Sequence, residues 1–209
     1  MTSGTEPYLS DPAGQALLAV ARQSLVTFVR DQQFYLPTLE DCSPELRRMG
    51  ASFVTLTNQG VLRGCIGTVE ARRPLALDVA HNSVAAASRD PRFAPLKTAE
   101  LDLVRLSVTV LTTPQTLVYQ DYADLLARLR PGIDGVILTH QERRGLLLPQ
   151  VWSRIPDPAD FLNGICEKAG FPIGLLHQSP PQLTVLTFQA QHFYEPGYLE
   201  PGGLLPAQT

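Results

Sequence analysis

Hydrophobic positions along the chain switch several times between helical and strand spacing, and the switches mark out its elements. Behind Asp11-Pro12, which supplies an N-cap and a first-turn proline, Leu17, Leu18, Val20, Ala21, Leu25, Phe28 and Val29 recur at helical spacing. They predict a first amphipathic helix. Gln32 to Glu40 is a polar, proline-containing connection, and Ser43-Pro44-Glu45 starts a short helical turn. Ala51 to Thr57 is then rich in β-branched and aromatic residues, and Val61 to Val69 resumes after the turn residues Asn58-Gln59-Gly60, which predicts a hairpin. Pro74 to Ser88 returns to helical spacing, and its small residues permit close packing. Asp90-Pro91 ends that helix, because proline disfavours helical geometry in the residue before it, and Phe93 is read as an anchor.

In the second half, Leu103 to Thr112 alternates as a strand with Val104, Leu106, Val108 and Val110 on one face. Asp121 to Leu129 reads as a helix, and Gly135 to Thr139 with Gly145 to Leu148 as a second hairpin around Gln141-Glu142-Arg143-Arg144. Asp157-Pro158 opens another helix that runs to Gly170, a good C-terminal cap. Gln182 to Glu195 alternates as one last strand through Leu183, Val185, Leu186, Phe188 and Phe193, and the proline- and glycine-rich stretch after Glu195 reads as a loose tail. Two strand-turn-strand groups separated by helices predict an α+β fold, a mainly antiparallel sheet flanked by helices, over a regular βαβ succession.

Within the first hairpin, Leu62-Arg63-Gly64-Cys65-Ile66-Gly67 sets a thiol and a guanidinium two residues apart between glycines. Strand alternation puts Arg63 and Cys65 on one face and Leu62, Gly64 and Ile66 on the other. Glycine packs nothing in a strand, so Gly64 and Gly67 imply a bulge, a positive φ or a close approach by another backbone or a ligand. Two readings stand. In one, Cys65 is reactive or contacts a ligand, and Arg63 binds an anion and lowers the thiol pKa. In the other, Cys65 is a small buried hydrophobe and Arg63 pairs with a structural carboxylate.

The remaining composition narrows the function classes. A net charge of -3 gives no global attraction to nucleic acid or anionic membranes. The three cysteines are odd in number and widely spaced, which fits a reducing cytoplasm better than a disulfide scaffold or a paired-cysteine zinc site. No apolar run approaches the length of a membrane span, and no export signal is evident. Metal ligands at recognised spacing are absent, and the glycine spacing lacks the lysine and hydroxyl of a phosphate loop, so no metal or cofactor is expected.

The hexapeptide, Ala86-Ala87-Ser88-Arg89-Asp90-Pro91-Arg92-Phe93, and Leu148-Pro149-Gln150-Val151-Trp152 leading into Asp157-Pro158 and Glu167-Lys168-Ala169-Gly170 occur in one order. Together they resemble the AMMECR domain family, whose prokaryotic members are called AmmeMemoRadiSam system protein A. The resemblance runs from about Ala13 to Glu195, leaving residues 1–12 as an N-terminal arm and 196–209 as the tail. It implies an α+β domain of a larger and a smaller lobe, with Leu62 to Gly67 at or near a cleft between them. It also implies a system with a Memo-like protein and a radical S-adenosylmethionine protein as partners. In one departure, Phe171-Pro172-Ile173-Gly174-Leu175-Leu176 lacks the tryptophan that family members often carry after the lysine-alanine-glycine segment.

A nucleophilic Cys65 needs a base. Of His81, His140, His177 and His192, only His81 follows close behind the motif, and the reading against it is a surface or capping histidine. Asp90 and Arg92 either bind a polar ligand or build a turn. The expected site is therefore Cys65 with His81 as its partner, and Arg63, Gly64, Ile66, Gly67, Asp90 and Arg92 as binding residues. Its expected activity is to bind or modify a small molecule or modified residue. The alternative is a non-catalytic adaptor that presents the same surface to a protein partner.

Overall fold

A computed structural model of the chain describes residues 8–172, 174–178 and 183–202. Residues 1–7 of the expected arm and 203–209 of the expected tail lie outside the described residues. In chain order the elements are α1 (Asp11–Asp31), α2 (Pro44–Arg47), β1 (Met49–Asn58), β2 (Val61–Gly67), β3 (Arg73–Pro74), α3 (Leu75–Ser88), β4 (Val104–Leu111), β5 (Gln115–Thr116), α4 (Tyr122–Arg128), β6 (Gly135–His140), β7 (Arg143–Leu147), α5 (Pro158–Ala169), β8 (Thr184–Phe188) and β9 (Ala190–Tyr194). They form two units, Met1–Leu111 with Gln191–Thr209, and Thr112–Ala190.

The first unit is built on a sheet in the order β2-β1-β4-β9, with β3 paired to the start of β1. β1 runs antiparallel to both β2 and β4. Alternation fills one face with Val54, Leu56, Val104, Leu106, Val108 and Val110, all fully buried, and α1 and α3 bring Leu17, Leu25, Ala76 and Val79 into the same core. Each fully buried aliphatic side chain of Leu or Val size contributes about 1.5–3 kcal/mol. The Ser83 hydroxyl of α3 donates to the Ala21 carbonyl of α1 at 2.7 Å, which fixes the two helices against each other. The other face of the sheet is mixed, with Phe53 of β1 among polar residues. It carries Thr55, Ser107 and Thr109, and Thr109 Oγ1 lies 3.0 Å from His192 Nδ1.

The second unit carries a sheet in the order β5-β8-β6-β7, with β6 antiparallel to both β7 and β8. α5 is capped at both ends as its sequence predicts. The Asp157 carboxylate accepts from the amides of Ala159 and Asp160, and Gly170 closes the helix with φ 64° in the left-handed region. Trp152 is a core anchor, stacked on Phe161 with ring centroids 3.7 Å apart, and its indole N–H donates to the Asp134 carbonyl.

Two expectations need correction. The single last strand is two, β8 and β9, which belong to different sheets and are interrupted at Gln189. At the break the Gln189 amide donates to Thr112 Oγ1, and the Thr112 amide donates to the Gln189 carbonyl, so the entry into the second unit is tied to its exit. The described beginning of the expected tail is packed: Tyr198 is 3% exposed, and the Gly202 amide donates to the Gly60 carbonyl at 2.9 Å.

Candidate functional site

Leu62 to Gly67 lies on β2, an edge strand. Its register against β1 shifts between Leu56 and Thr57, because Thr57 pairs with Leu62 and Leu56 with Gly64. Arg63 is the extra residue of a β-bulge, so strict alternation fails at the residue for which it was invoked. Gly64 faces α3, and a Cβ placed on it would lie 2.2 Å from the Ala86 carbonyl oxygen. A Cβ on Gly67 would lie 2.2 Å from the Phe53 ring. Of the three readings open for these glycines, the structure adopts close approach at both and places a bulge directly before Gly64. Ile66 packs against the first core.

The segment after α3 runs along the free edge of β2. Asp90 Oδ2 accepts the Cys65 amide at 2.8 Å, and Arg92 holds Asp90 through Nε at 2.9 Å and Nη2 at 2.6 Å. Arg92 Nη2 also reaches the Cys65 carbonyl at 3.4 Å. Side chains thus stand where a neighbouring strand would pair, one way of protecting a sheet edge. The Asp90 side chain is 2% exposed, and its hydrogen bonds from Arg92 and from the Cys65 amide hold its pKa far below the usual carboxylate range.

Arg63 turns to Glu100, with Nε–Oε1 at 2.7 Å and Nη2–Oε2 at 3.1 Å. That bond and the Lys97 amide lower the Glu100 pKa. Phe93 joins the two cations: the Arg63 guanidinium lies 6.0 Å and that of Arg92 5.4 Å from its ring centroid. Hexapeptide and Asp90–Phe93 therefore meet, and Glu100 and Thr55 join them.

Cys65 is half-buried, and the Thr55 hydroxyl donates to its Sγ at 3.2 Å. Burial raises the thiol pKa, against the smaller lowering influences of Thr55 and Arg92. His81 sits elsewhere, with its ring 5.9 Å from Phe34, and burial lowers its pKa. Among the described residues no hydrogen bond joins it to Cys65. Tyr198 feels the Cys65 thiol electrostatically, and burial pushes its pKa up to about 12.

Beyond Gly67 the chain is pinned by Asp78, a fully buried carboxylate. It accepts the Ser52 amide at 3.0 Å, the Ser52 hydroxyl at 2.7 Å and the Asn82 amide group at 3.0 Å, and the Thr68 hydroxyl joins it. Asp78 stands at a helical position that periodicity alone assigns to packing. Glu100 lies 37 residues from Arg63, with no spacing to connect them. Among the described residues no group of three or more histidine, cysteine or acidic side chains is placed to hold a metal ion. No described helix is long and apolar enough to cross a membrane.

The fold and this edge define a class, α+β proteins with antiparallel sheets flanked by helices and a glycine-bounded cysteine strand closed by a helix-terminal aspartate. The AMMECR1 family model matches residues 18–193, and the chain belongs to that family. A protein of Methanothermobacter thermautotrophicus is 39% identical over 193 residues, covering 90% of this chain and 97% of that protein. One of Thermofilum pendens is 37% identical over 202 residues, covering 90% and 92%. The crystal structure of the uncharacterized protein PH0010 from Pyrococcus horikoshii is similar with a TM-score of 0.77 and 31% identity, covering 94% of this chain and 97% of that one.

Proposed function

We propose that Leu62–Gly67 and the Asp90–Glu100 segment form one recognition surface that binds a small molecule or a modified residue, in a system with a Memo-like protein and a radical S-adenosylmethionine protein. The observation that carries this reading is the clamp of Asp90 and Arg92 on the Cys65 main chain, which joins two distant motifs around one thiol. The raised thiol pKa favours recognition through a neutral S–H over attack by a thiolate. Arg63, Arg92 and Phe93 supply guanidinium N–H groups and an aromatic face beside it. Cys65 and His81 form no catalytic pair in this reading.

Capture of metabolites from cell extract by wild type and Cys65→Ser in parallel tests it. A compound retained by the wild type and lost from the variant supports the proposal, and identical profiles count against a role for the thiol. The second reading, an adaptor surface for a protein, draws on the exposure of Val61 on the same edge strand, which is 69%. It expects Cys65→Ser to retain partner binding while Val61→Glu, on the exposed edge, abolishes it.

A further inference from the structure

We infer that residues 196–202 form an autoinhibitory strap, in which Tyr198 occupies the inner end of the Cys65 surface and a ligand that extends inward from Cys65 must lift the strap to enter. This regulation rests on the recognition reading proposed above.

Strand register sets the row that the strap covers. Cys65 of β2 pairs with Thr55 of β1, and Thr55 pairs with Ser107 of β4, so a thiol and two hydroxyls lie in one line across the face of the sheet opposite the core. Neighbouring strands are about 4.8 Å apart, which puts Ser107 about 10 Å from Cys65. Ser107 is 4% exposed. The Tyr198 phenol feels both ends of the row, Ser107 through hydrogen bonding and the Cys65 thiol through charge. Its ring centroid lies 5.3 Å from that of Tyr194, and the Tyr194 ring is nearly parallel to that of His192, which bonds Thr109 on the same face. A Cβ on Gly197 would lie 3.8 Å from Arg105 Nε, and alternation along β4 puts Arg105 on the face of Ser107.

The strap has a strong base and a light latch. At the base, the Glu195 amide donates to the Leu106 carbonyl at 3.1 Å, and the Glu195 carboxylate accepts the Leu106 amide at 2.9 Å and Arg22 Nε at 2.7 Å. At the far end the Gly202 amide donates to the Gly60 carbonyl at 2.9 Å, in the turn between β1 and β2. Between them Tyr198 is the one buried side chain, and Pro196 and Pro201 have no N–H to give. A segment secured by one ring and one terminal main-chain bond opens at a smaller free energy than the sheet beneath it. What it uncovers is a floor of hydrogen-bonding groups, Cys65, Thr55 and Ser107, which a polar small molecule can engage in place of the phenol.

Hydrogen exchange on the full wild-type chain tests the latch. Corrected for intrinsic rate, the Tyr198 and Gly202 amides should exchange at least about 100-fold faster than those of Val54 and Val108 in the middle strands. Equal protection would overturn the strap, because it would then open only with the whole unit. Labelling by N-ethylmaleimide tests the cover. Tyr198→Ala should label Cys65 at least about tenfold faster than wild type while Cys42, in the same unit, keeps its rate, and Tyr198→Phe, which retains the ring, should behave as wild type. An unchanged Cys65 in Tyr198→Ala, or an equal acceleration at Cys42, would overturn the cover. Neither measurement uses a ligand, so both stand even where metabolite capture shows no role for the thiol. A compound that capture does find should be retained at least about fivefold more by Tyr198→Ala, since a closed population weakens apparent affinity in proportion. Equal retention by wild type and Tyr198→Ala would overturn the autoinhibition.

Discussion

The Asp90 carboxylate accepts the Cys65 main-chain N–H at 2.8 Å while Arg92 grips the same carboxylate side-on, so a helix-terminal side chain takes the place of a strand at the edge of the sheet. Asp90→Asn replaces one acceptor oxygen with a donor and removes the charge that Arg92 pairs with. It should destabilise the protein by about 2 kcal/mol at neutral pH, read by urea unfolding. The folded-state pKa is depressed below the ordinary 3.8, so this stabilisation is present above that value and is lost as pH falls through the folded pKa. The gap between wild type and Asp90→Asn should therefore be full at pH above 3.8 and narrow on acidification below it. A gap that stays constant into strong acid would contradict the charge-based account.

Asp78 should show the opposite sign. It is fully buried, and desolvation raises its pKa above 3.8 despite the donors of Ser52 and Thr68. The folded state then holds its proton more tightly than the unfolded chain. Its contribution is most favourable below pH 3.8 and falls away as pH rises through the folded value. Carboxyl-carbon NMR titration of one sample is the direct measurement: Asp78 should titrate above 3.8 and Asp90 below it. Titration of both at the ordinary value would remove the electrostatic case for these two residues.

The periodic elements were legible because their cause is local. α1, α3, α5 and both hairpins follow from spacing and caps within each segment, and close approach at Gly64 was among the options that a glycine inside a strand leaves open. What escaped is set by partners distant in the chain. The bulge at Arg63 depends on how β1 pairs, and the Arg63–Glu100 bond spans 37 residues. Hydrophobic alternation continues from Leu183 to Phe193, so the passage at Gln189 from one sheet to another leaves no mark in it. Composition after Glu195 announces turns and conceals one aromatic anchor, Tyr198.

Two glycine-to-alanine substitutions should move stability in opposite directions. At Gly64 the added methyl meets the Ala86 backbone oxygen at 2.2 Å, and relief requires β2 and α3 to separate. The cost should be about 1–3 kcal/mol, with shifted amide signals along both elements. At Gly164, inside α5, the nearest atom to a new Cβ is 3.7 Å away, so Gly164→Ala should stabilise by about 0.5–1 kcal/mol through helix propensity. Chemical denaturation of the two variants beside wild type decides both. A neutral Gly64→Ala would show that the strand-helix contact is looser than its geometry.

The thiol of Cys65 should be slow to alkylate in the folded protein at neutral pH. Burial raises its pKa above the ordinary 9.0, so the thiolate fraction is smaller than that of an unstructured cysteine. Iodoacetamide labelling followed by peptide mass spectrometry should show its rate climbing only in alkaline solution, and matching a free cysteine once the chain is unfolded in urea. Thr55→Val removes the hydroxyl that donates to Sγ and favours the thiolate, so it should push the midpoint of the pH-rate curve further up. A wild-type Cys65 labelled faster than a free cysteine at neutral pH would mean an activated thiolate, and would return nucleophilic chemistry to this strand.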